Sequence, residues 1–211
     1  MPMPMRWLKR VVPVALALGA VFIMPMAAGA QAVCSGTQST DVIANLLVPK
    51  GVTCTLEGIT VTGSITVQPG GCLIVGQASA PARVGGNINA TDAACLSIGF
   101  GSAIGGNVIA LGTTGNPSGY SFNFMCNSLI GGSVEINNSE KGADWCIGGK
   151  AACACAAGEN IIGGLTFDAN KGATNNISDN TIGSNMNCAG NTGLTGSGNT
   201  ASRKLGQCST F

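Results

Sequence analysis

Apolar and polar positions alternate in short segments that recur along the chain. The first reads VTGSITV (residues 61–67), and VGGNINA (84–90), IGGNVIA (104–110) and IGGSVEI (130–136) align with it. Two looser copies read IGGLTFD (162–168) and IGSNMNC (182–188). In most copies the first, fifth and seventh positions are apolar. An alternation of period two is typical of a β-strand with one buried face.

The segments are spaced regularly. They begin at residues 61, 84, 104, 130, 162 and 182, so successive starts lie 23, 20, 26, 32 and 20 residues apart. Insertions near residues 112–124 and 137–158 account for the long steps. A second apolar run precedes several segments, as in residues 72–75 and 95–98. Because one turn of such a chain cannot bury its apolar side alone, a step near 20 predicts turns that stack on one another.

We therefore predict an all-β protein whose residues 33–211 form a single parallel β-helix, a solenoid of about six or seven right-handed coils. No segment after the first thirty or so residues has the apolar stripe of an α-helix. An antiparallel β-sandwich is the alternative, since it also has short strands and glycine-rich turns. The glycine doublets distinguish the two folds, because only the β-helix stacks them in one column.

Aromatic residues concentrate in the two expected insertions. Tyr120, Phe122 and Phe124 lie in the first insertion and Trp145 lies in the second. Aromatic side chains on loops are common recognition elements, but they also serve as lids over the core. We expect lids.

The N-terminus has the three parts of a secretory signal peptide. Arg6, Lys9 and Arg10 are basic, residues 11–23 are apolar, and small residues follow. The sequence predicts a signal peptide over residues 1–32, with cleavage after Ala30 or, slightly preferred, after Ala32. A membrane anchor is the alternative, but prolines interrupt the apolar run. The predicted location is secreted: extracellular, at the cell surface or in the periplasm.

All ten cysteines follow the predicted signal peptide, and an even number in an exported chain predicts disulfide bonds. The candidates are Cys34, Cys54, Cys72, Cys95, Cys126, Cys146, Cys153, Cys155, Cys188 and Cys208.

Residues one coil apart lie within reach of a disulfide bond. Cys188 and Cys208 are 20 residues apart and should close the last coil. Cys72 can bond to either Cys54 or Cys95, but not to both. Cys34 is expected to hold the N-terminal segment, and the cysteines of the second insertion are expected to form local bonds. A metal or redox site at Cys153 and Cys155 is the weaker interpretation.

The sequence resembles a known group of proteins. The glycine-doublet segments, together with the ending CAGN…TGSGNT…GQC (residues 188–208), are similar to secreted, functionally uncharacterised bacterial β-helix repeat proteins. The pattern is more distantly similar to bactofilin-type polymer-forming proteins. That resemblance implies a role in self-association, and neither resemblance supplies catalytic residues.

Composition excludes several functions. The chain has no histidine, so histidine-dependent nucleophilic catalysis and imidazole metal sites are excluded. Its formal net charge of +1 gives no footprint for nucleic acid. The carboxylates are scattered, and Asp168 and Glu135 should point to opposite faces because they are one position apart. We expect no catalytic residue, no cofactor, no metal, and no membrane span after signal cleavage.

These observations predict a non-enzymatic structural or binding protein. The alternative is a glycan-binding or glycan-active protein resembling a polysaccharide lyase or hydrolase. The partner is unknown, with contact to glycan or cell wall, or self-association, as the candidates. Asn87, Asn107 and Asn185 share one position of the segments with Ser64 and Ser133. We expect a hydrogen-bonded ladder there; a polar surface that binds glycan or ice is the alternative.

Overall fold

A computed structural model describes residues 31–77, 80–148 and 159–211. Nearly all of the predicted signal peptide lies outside the described residues, as do Cys153 and Cys155 and most of the region between Gly148 and Asn160. Within the described ranges no helix has the length and apolar character needed to cross a membrane.

The described residues form short β-strands and one 3₁₀ helix, Gln207–Thr210, with no α-helix among them. The strands are β1 (Gln31–Val33), β2 (Gly36–Gln38), β3 (Asn45–Val48), β4 (Thr53–Leu56), β5 (Thr60–Val61), β6 (Ile65–Val67), β7 (Cys72–Val75), β8 (Arg83–Val84), β9 (Ile88–Thr91), β10 (Cys95–Ile98), β11 (Ala103–Ile104), β12 (Val108–Leu111), β13 (Asn123–Met125), β14 (Leu129–Asn137), β15 (Trp145–Gly148), β16 (Asn160–Asp168), β17 (Asn175–Ser178), β18 (Asn180–Ile182), β19 (Asn185–Ala189), β20 (Leu194–Ser197) and β21 (Arg203–Gly206).

These strands lie in two sheets, and every strand pair among the described residues is parallel. The 8-stranded sheet has the order β2-β4-β7-β10-β13-β15-β17-β20. The 13-stranded sheet contains the path β1-β3-β6-β9-β12-β14, with β16, β19 and β21 continuing from it. It also contains the shorter strands β5, β8, β11 and β18. The prediction of parallel β-structure is confirmed.

The strand registers place the aligned sequence segments side by side. The first apolar position runs from Val61 to Val84 and then to Ile104 and Ile130. The fifth position likewise joins Ile65, Ile88, Val108 and Val134. These side chains are buried, so the alternation along each segment corresponds to an inward and an outward face.

The looser segment at 162–168 is shifted by one residue. Ile130 pairs with Ile162, but Val134 pairs with Leu165 instead of Thr166, because the register slips after Ile130. The shift had a signal in the sequence: the apolar positions of IGGLTFD are the fourth and sixth, Leu165 and Phe167. Moving the frame by one residue keeps both side chains buried.

One contiguous apolar core runs from Cys34 to Cys208 between the sheets. Trp145 is fully buried in this core, and its Nε1–H donates a hydrogen bond to Ser139 Oγ (3.0 Å). Because β15 belongs to the 8-stranded sheet, the second expected insertion is divided into two connections, and Trp145 is a core residue instead of a loop residue.

The connections after the 13-stranded sheet contain residues with positive φ at equivalent places. Asn138 (φ 57°), Ala169 (φ 55°) and Gly190 (φ 65°) follow β14, β16 and β19. Backbone hydrogen bonds join this region from one turn to the next, as between Ala169 N–H and the Ala189 carbonyl (2.7 Å). Asparagine and glycine adopt this conformation at low cost, which explains part of their abundance.

Candidate functional site

Disulfide bonds join strands of neighbouring turns at both ends of the described structure. The bonds are Cys34–Cys54, Cys72–Cys95 and Cys188–Cys208, with Cα–Cα distances of 5.9, 4.5 and 5.3 Å. The sequence expected the bond between Cys188 and Cys208. Of the two alternatives for Cys72, the structure has the bond to Cys95. Cys126 and Cys146 are also disulfide-bonded.

The glycine doublets of successive segments lie over one another. The N–H of Gly106 donates to the carbonyl of Gly86 (3.0 Å), and the N–H of Gly132 donates to the carbonyl of Gly106 (3.0 Å). A Cβ built on Gly105 would lie 2.4 Å from the carbonyl oxygen of Gly85. The doublets therefore form one column, in which a side chain would collide with the backbone of the preceding turn.

Next to this column, side-chain oxygens accept hydrogen bonds from the backbone of the following turn. The N–H of Asn107 donates to Asn87 Oδ1 (2.8 Å), and the N–H of Ser133 donates to Asn107 Oδ1 (2.8 Å). Ser64 Oγ accepts in the same way from Asn87 (3.0 Å). The expected ladder thus exists but runs from side chain to backbone. Gly164 separates Ser133 from Asn185 in this column.

A second ladder is buried, and sequence reasoning did not assign it a role. Asn180 Nδ2 donates to Asn199 Oδ1 (2.8 Å), and Asn160 Nδ2 donates to Asn180 Oδ1 (3.0 Å). These amides are at most 4% exposed, and they also bind backbone carbonyls such as that of Ile147 (3.0 Å). The signal was the repetition of Asn-Thr at 180 and 199. Such residues hold the core in register, because a buried amide requires its partners.

The carboxylates give no clear catalytic or metal-binding arrangement. The one-residue shift corrects the expectation for Glu135 and Asp168: Asp168 pairs with Asn137, two residues beyond Glu135, so both carboxylates face outward on neighbouring strands. Glu135 Oε1 accepts a hydrogen bond from Asn137 Nδ2 (2.7 Å). In the parts of the chain that are described, no three acidic or cysteine side chains cluster in a way that could hold a metal ion.

The largest cavity described here is a groove of about 760 Å³ on the 8-stranded sheet. We call it the sheet groove. Its lining includes Ser121, Phe122, Thr174, Asn176, Thr195 and Gln207. These residues come from four successive passages of the chain through this part of the molecule, so the groove runs across the strands.

The connection between β12 and β13 forms the aromatic wall of the sheet groove. Phe122 packs against a buried cluster that contains Phe124, Cys126 and Cys146. The ring of Tyr120 lies 5.1 Å from that of Phe124, and Tyr120 remains 39% exposed. The aromatic residues of this insertion therefore cover the outer face of the sheet, and they also border the groove.

Hydrogen bonds fix this connection in place. Asn116 Oδ1 accepts from the N–H of Asp144 (3.1 Å) and from Asn123 Nδ2 (3.1 Å). Asn116 Nδ2 donates to the carbonyl of Ser121 (2.7 Å). The wall of the groove is thus attached to two strands of the sheet before any ligand binds.

Comparison with other proteins adds no relative. No family model matches the chain, and neither a curated protein nor a solved structure matches it.

Proposed function

We propose that the chain winds as one right-handed parallel β-helix and serves outside the cytoplasm as a rigid, non-enzymatic scaffold. The stacked registers carry this proposal, because like residues of successive segments pair across neighbouring strands. Parallel strands joined by a crossover within one sheet are right-handed in about 98% of known cases. On this proposal, the protein belongs with the secreted β-helix repeat proteins that its sequence resembles.

The disulfide bonds support a location in an oxidising compartment. The proposed export route starts with the signal peptide. Gln31 pairs with Asn45 and Ala32 pairs with Leu46, and Ala32 packs against the core. Cleavage after Ala32 would remove two of the three residues of β1. We therefore expect cleavage after Ala30, which keeps β1 intact.

Expression of the full chain in a bacterium tests this route. Intact-mass measurement of the periplasmic or medium fraction should give a protein that begins at Gln31 and has no reactive thiol. A chain that keeps residues 1–30 and remains in the membrane fraction would support the anchor instead.

The scaffold proposal is supported by how the polar residues are used. Amides that could serve a substrate instead hold neighbouring turns, as Asn180 does inside the core and Asn107 does at the glycine column. A structure held by hydrogen bonds and disulfides between neighbouring turns is suited to keeping surface groups at fixed spacing.

Incubation with a panel of neutral and acidic polysaccharides tests the non-enzymatic role. We expect no release of reducing ends or unsaturated products. Product release that is lost in Glu135→Gln or Asp168→Asn, but kept in the exposed control Glu140→Gln, would favour the glycan-active alternative. Glu135 and Asp168 are the variants of choice because they face the same side of neighbouring strands.

A further inference from the structure

The sheet groove has features that the scaffold role leaves unused. Its volume of about 760 Å³ lies within the range of about 300–1,000 Å³ that is typical of ligand sites. Thr174 and Ser121 are exposed at the groove, and their hydroxyl groups make no hydrogen bond to other described residues. Both hydroxyls can therefore donate to a ligand and accept from it.

The lining also indicates the charge of the ligand. Among the described residues that line the sheet groove, none is acidic or basic. A charged ligand would lose its hydration there without gaining an opposite charge. Hydroxyl and amide groups next to an aromatic side chain suit a ligand that has many hydroxyl groups and apolar ring faces.

The direction of the groove suggests a linear ligand. Asn176 and Thr195 lie on the neighbouring strands β17 and β20, where Asn176 Nδ2 donates to Thr195 Oγ1 (3.1 Å). Neighbouring strands are about 4.8 Å apart, which is close to the length of one pyranose unit in a linear glycan. Polar groups on successive strands can thus meet successive sugar units.

We propose that the sheet groove binds a neutral oligosaccharide, with Phe122 as the platform for a sugar ring and Thr174 and Ser121 as hydrogen-bonding groups. This inference rests on the proposed scaffold, because residues from several turns build the groove. The ligand contacts preformed walls, so binding requires no rearrangement of the sheet.

Calorimetric titration of the purified, oxidised protein tests the groove. The probes are cellotetraose and chitotetraose, with trigalacturonate as the charged comparison. We expect saturable binding of at least one neutral probe and none of trigalacturonate. Thr174→Val should weaken binding about three- to tenfold, the equivalent of one hydrogen bond. Ala173→Trp, which places a large side chain at an exposed lining position, should weaken it more than tenfold, at least about as much as losing that bond.

Thr66→Val is the matched control, because Thr66 is an exposed strand threonine on the other sheet. It should bind as the unaltered protein does. Equal affinity in Ala173→Trp, or no binding of either neutral probe, would overturn the proposal. Thermal unfolding of each variant separates the two proposals: a groove that fails in a protein of unchanged stability leaves the scaffold standing, whereas a protein that does not unfold cooperatively contradicts both.

Discussion

Gly105→Ala is the most direct test of the stacked glycine column. The added Cβ would lie 2.4 Å from the carbonyl oxygen of Gly85 and 3.2 Å from its carbonyl carbon. Both atoms are backbone, so no side-chain rotation can relieve the contact. The strands on either side of the doublet would have to separate.

The size of the effect follows from what separation breaks. The N–H of Gly105 donates to the carbonyl of Val84 (2.8 Å), and the N–H of Gly106 donates to that of Gly86 (3.0 Å). Each such bond contributes about 1 kcal/mol net, and forcing extra volume into a packed site costs about 1–3 kcal/mol. We expect Gly105→Ala to lower the free energy of unfolding by about 2–4 kcal/mol.

Gly183→Ala is the matched control. Gly183 has the equivalent place in its segment, but an added Cβ would lie 3.6 Å from the carbonyl oxygen of Gly163, an ordinary contact. Its stability should change little, or increase by about 0.4–1 kcal/mol, because alanine lowers the entropy of the unfolded chain. The same chemical change should therefore have different effects at the two positions.

Urea unfolding with intact disulfides measures the difference. Fluorescence of the buried Trp145 reports loss of the core, and far-ultraviolet circular dichroism reports loss of the sheets. A lower midpoint for Gly105→Ala alone is the expected result. Equal midpoints for both variants would refute the reasoning, because the column would then tolerate a side chain where the backbones are closest.

Three further changes test other contacts. Replacing Cys188 and Cys208 by alanine should cost about 3 kcal/mol on the chain-entropy estimate for a loop of about twenty residues, and calorimetry should show a lower Tm; an unchanged Tm would contradict a stabilising role. Asn180→Ala should cost about 3 kcal/mol, since it leaves buried hydrogen-bonding groups without partners, whereas the exposed Asn185→Ala should cost under about 0.5 kcal/mol; equal urea midpoints would argue against the buried ladder. Ala169→Gly should raise stability by up to about 1 kcal/mol because of its positive φ, and a lower urea midpoint would contradict this.

Much of the pairing between strands could be predicted from the sequence. Alternation of period two identified the buried positions of each segment, and identical residue types at a regular step identified their partners, such as Ile88 and Val108. The reasoning failed at residues 162–168, where one residue fewer moves Leu165 into register with Val134. A pattern match that keeps the glycine doublet fixed cannot detect such a slip, because the slip occurs at the doublet.

The cysteines show the same limit. Spacing alone placed Cys188 and Cys208 together, because no other cysteine follows Cys188. Spacing left Cys72 with two partners, since 18 and 23 residues both approximate one turn. Only the register of β7 with β10, which pairs Cys72 with Cys95, decides between them.

The sheet groove could not be predicted from the sequence. Its lining residues lie far apart along the chain, and none belongs to a motif. Trp145, expected on a loop, is a core residue, whereas Phe122 borders the groove.

The sequence by itself determined which side chains face inward, that the strands are parallel, and that cysteines would join neighbouring turns. Those properties depend on local alternation and on a regular step, both of which can be read along one dimension. The tertiary structure decided the exact register, the partner of each cysteine in the first turns, and the groove. Those depend on the lengths of the connections between strands, which set the positions of residues across the stack and leave no periodic trace in the chain.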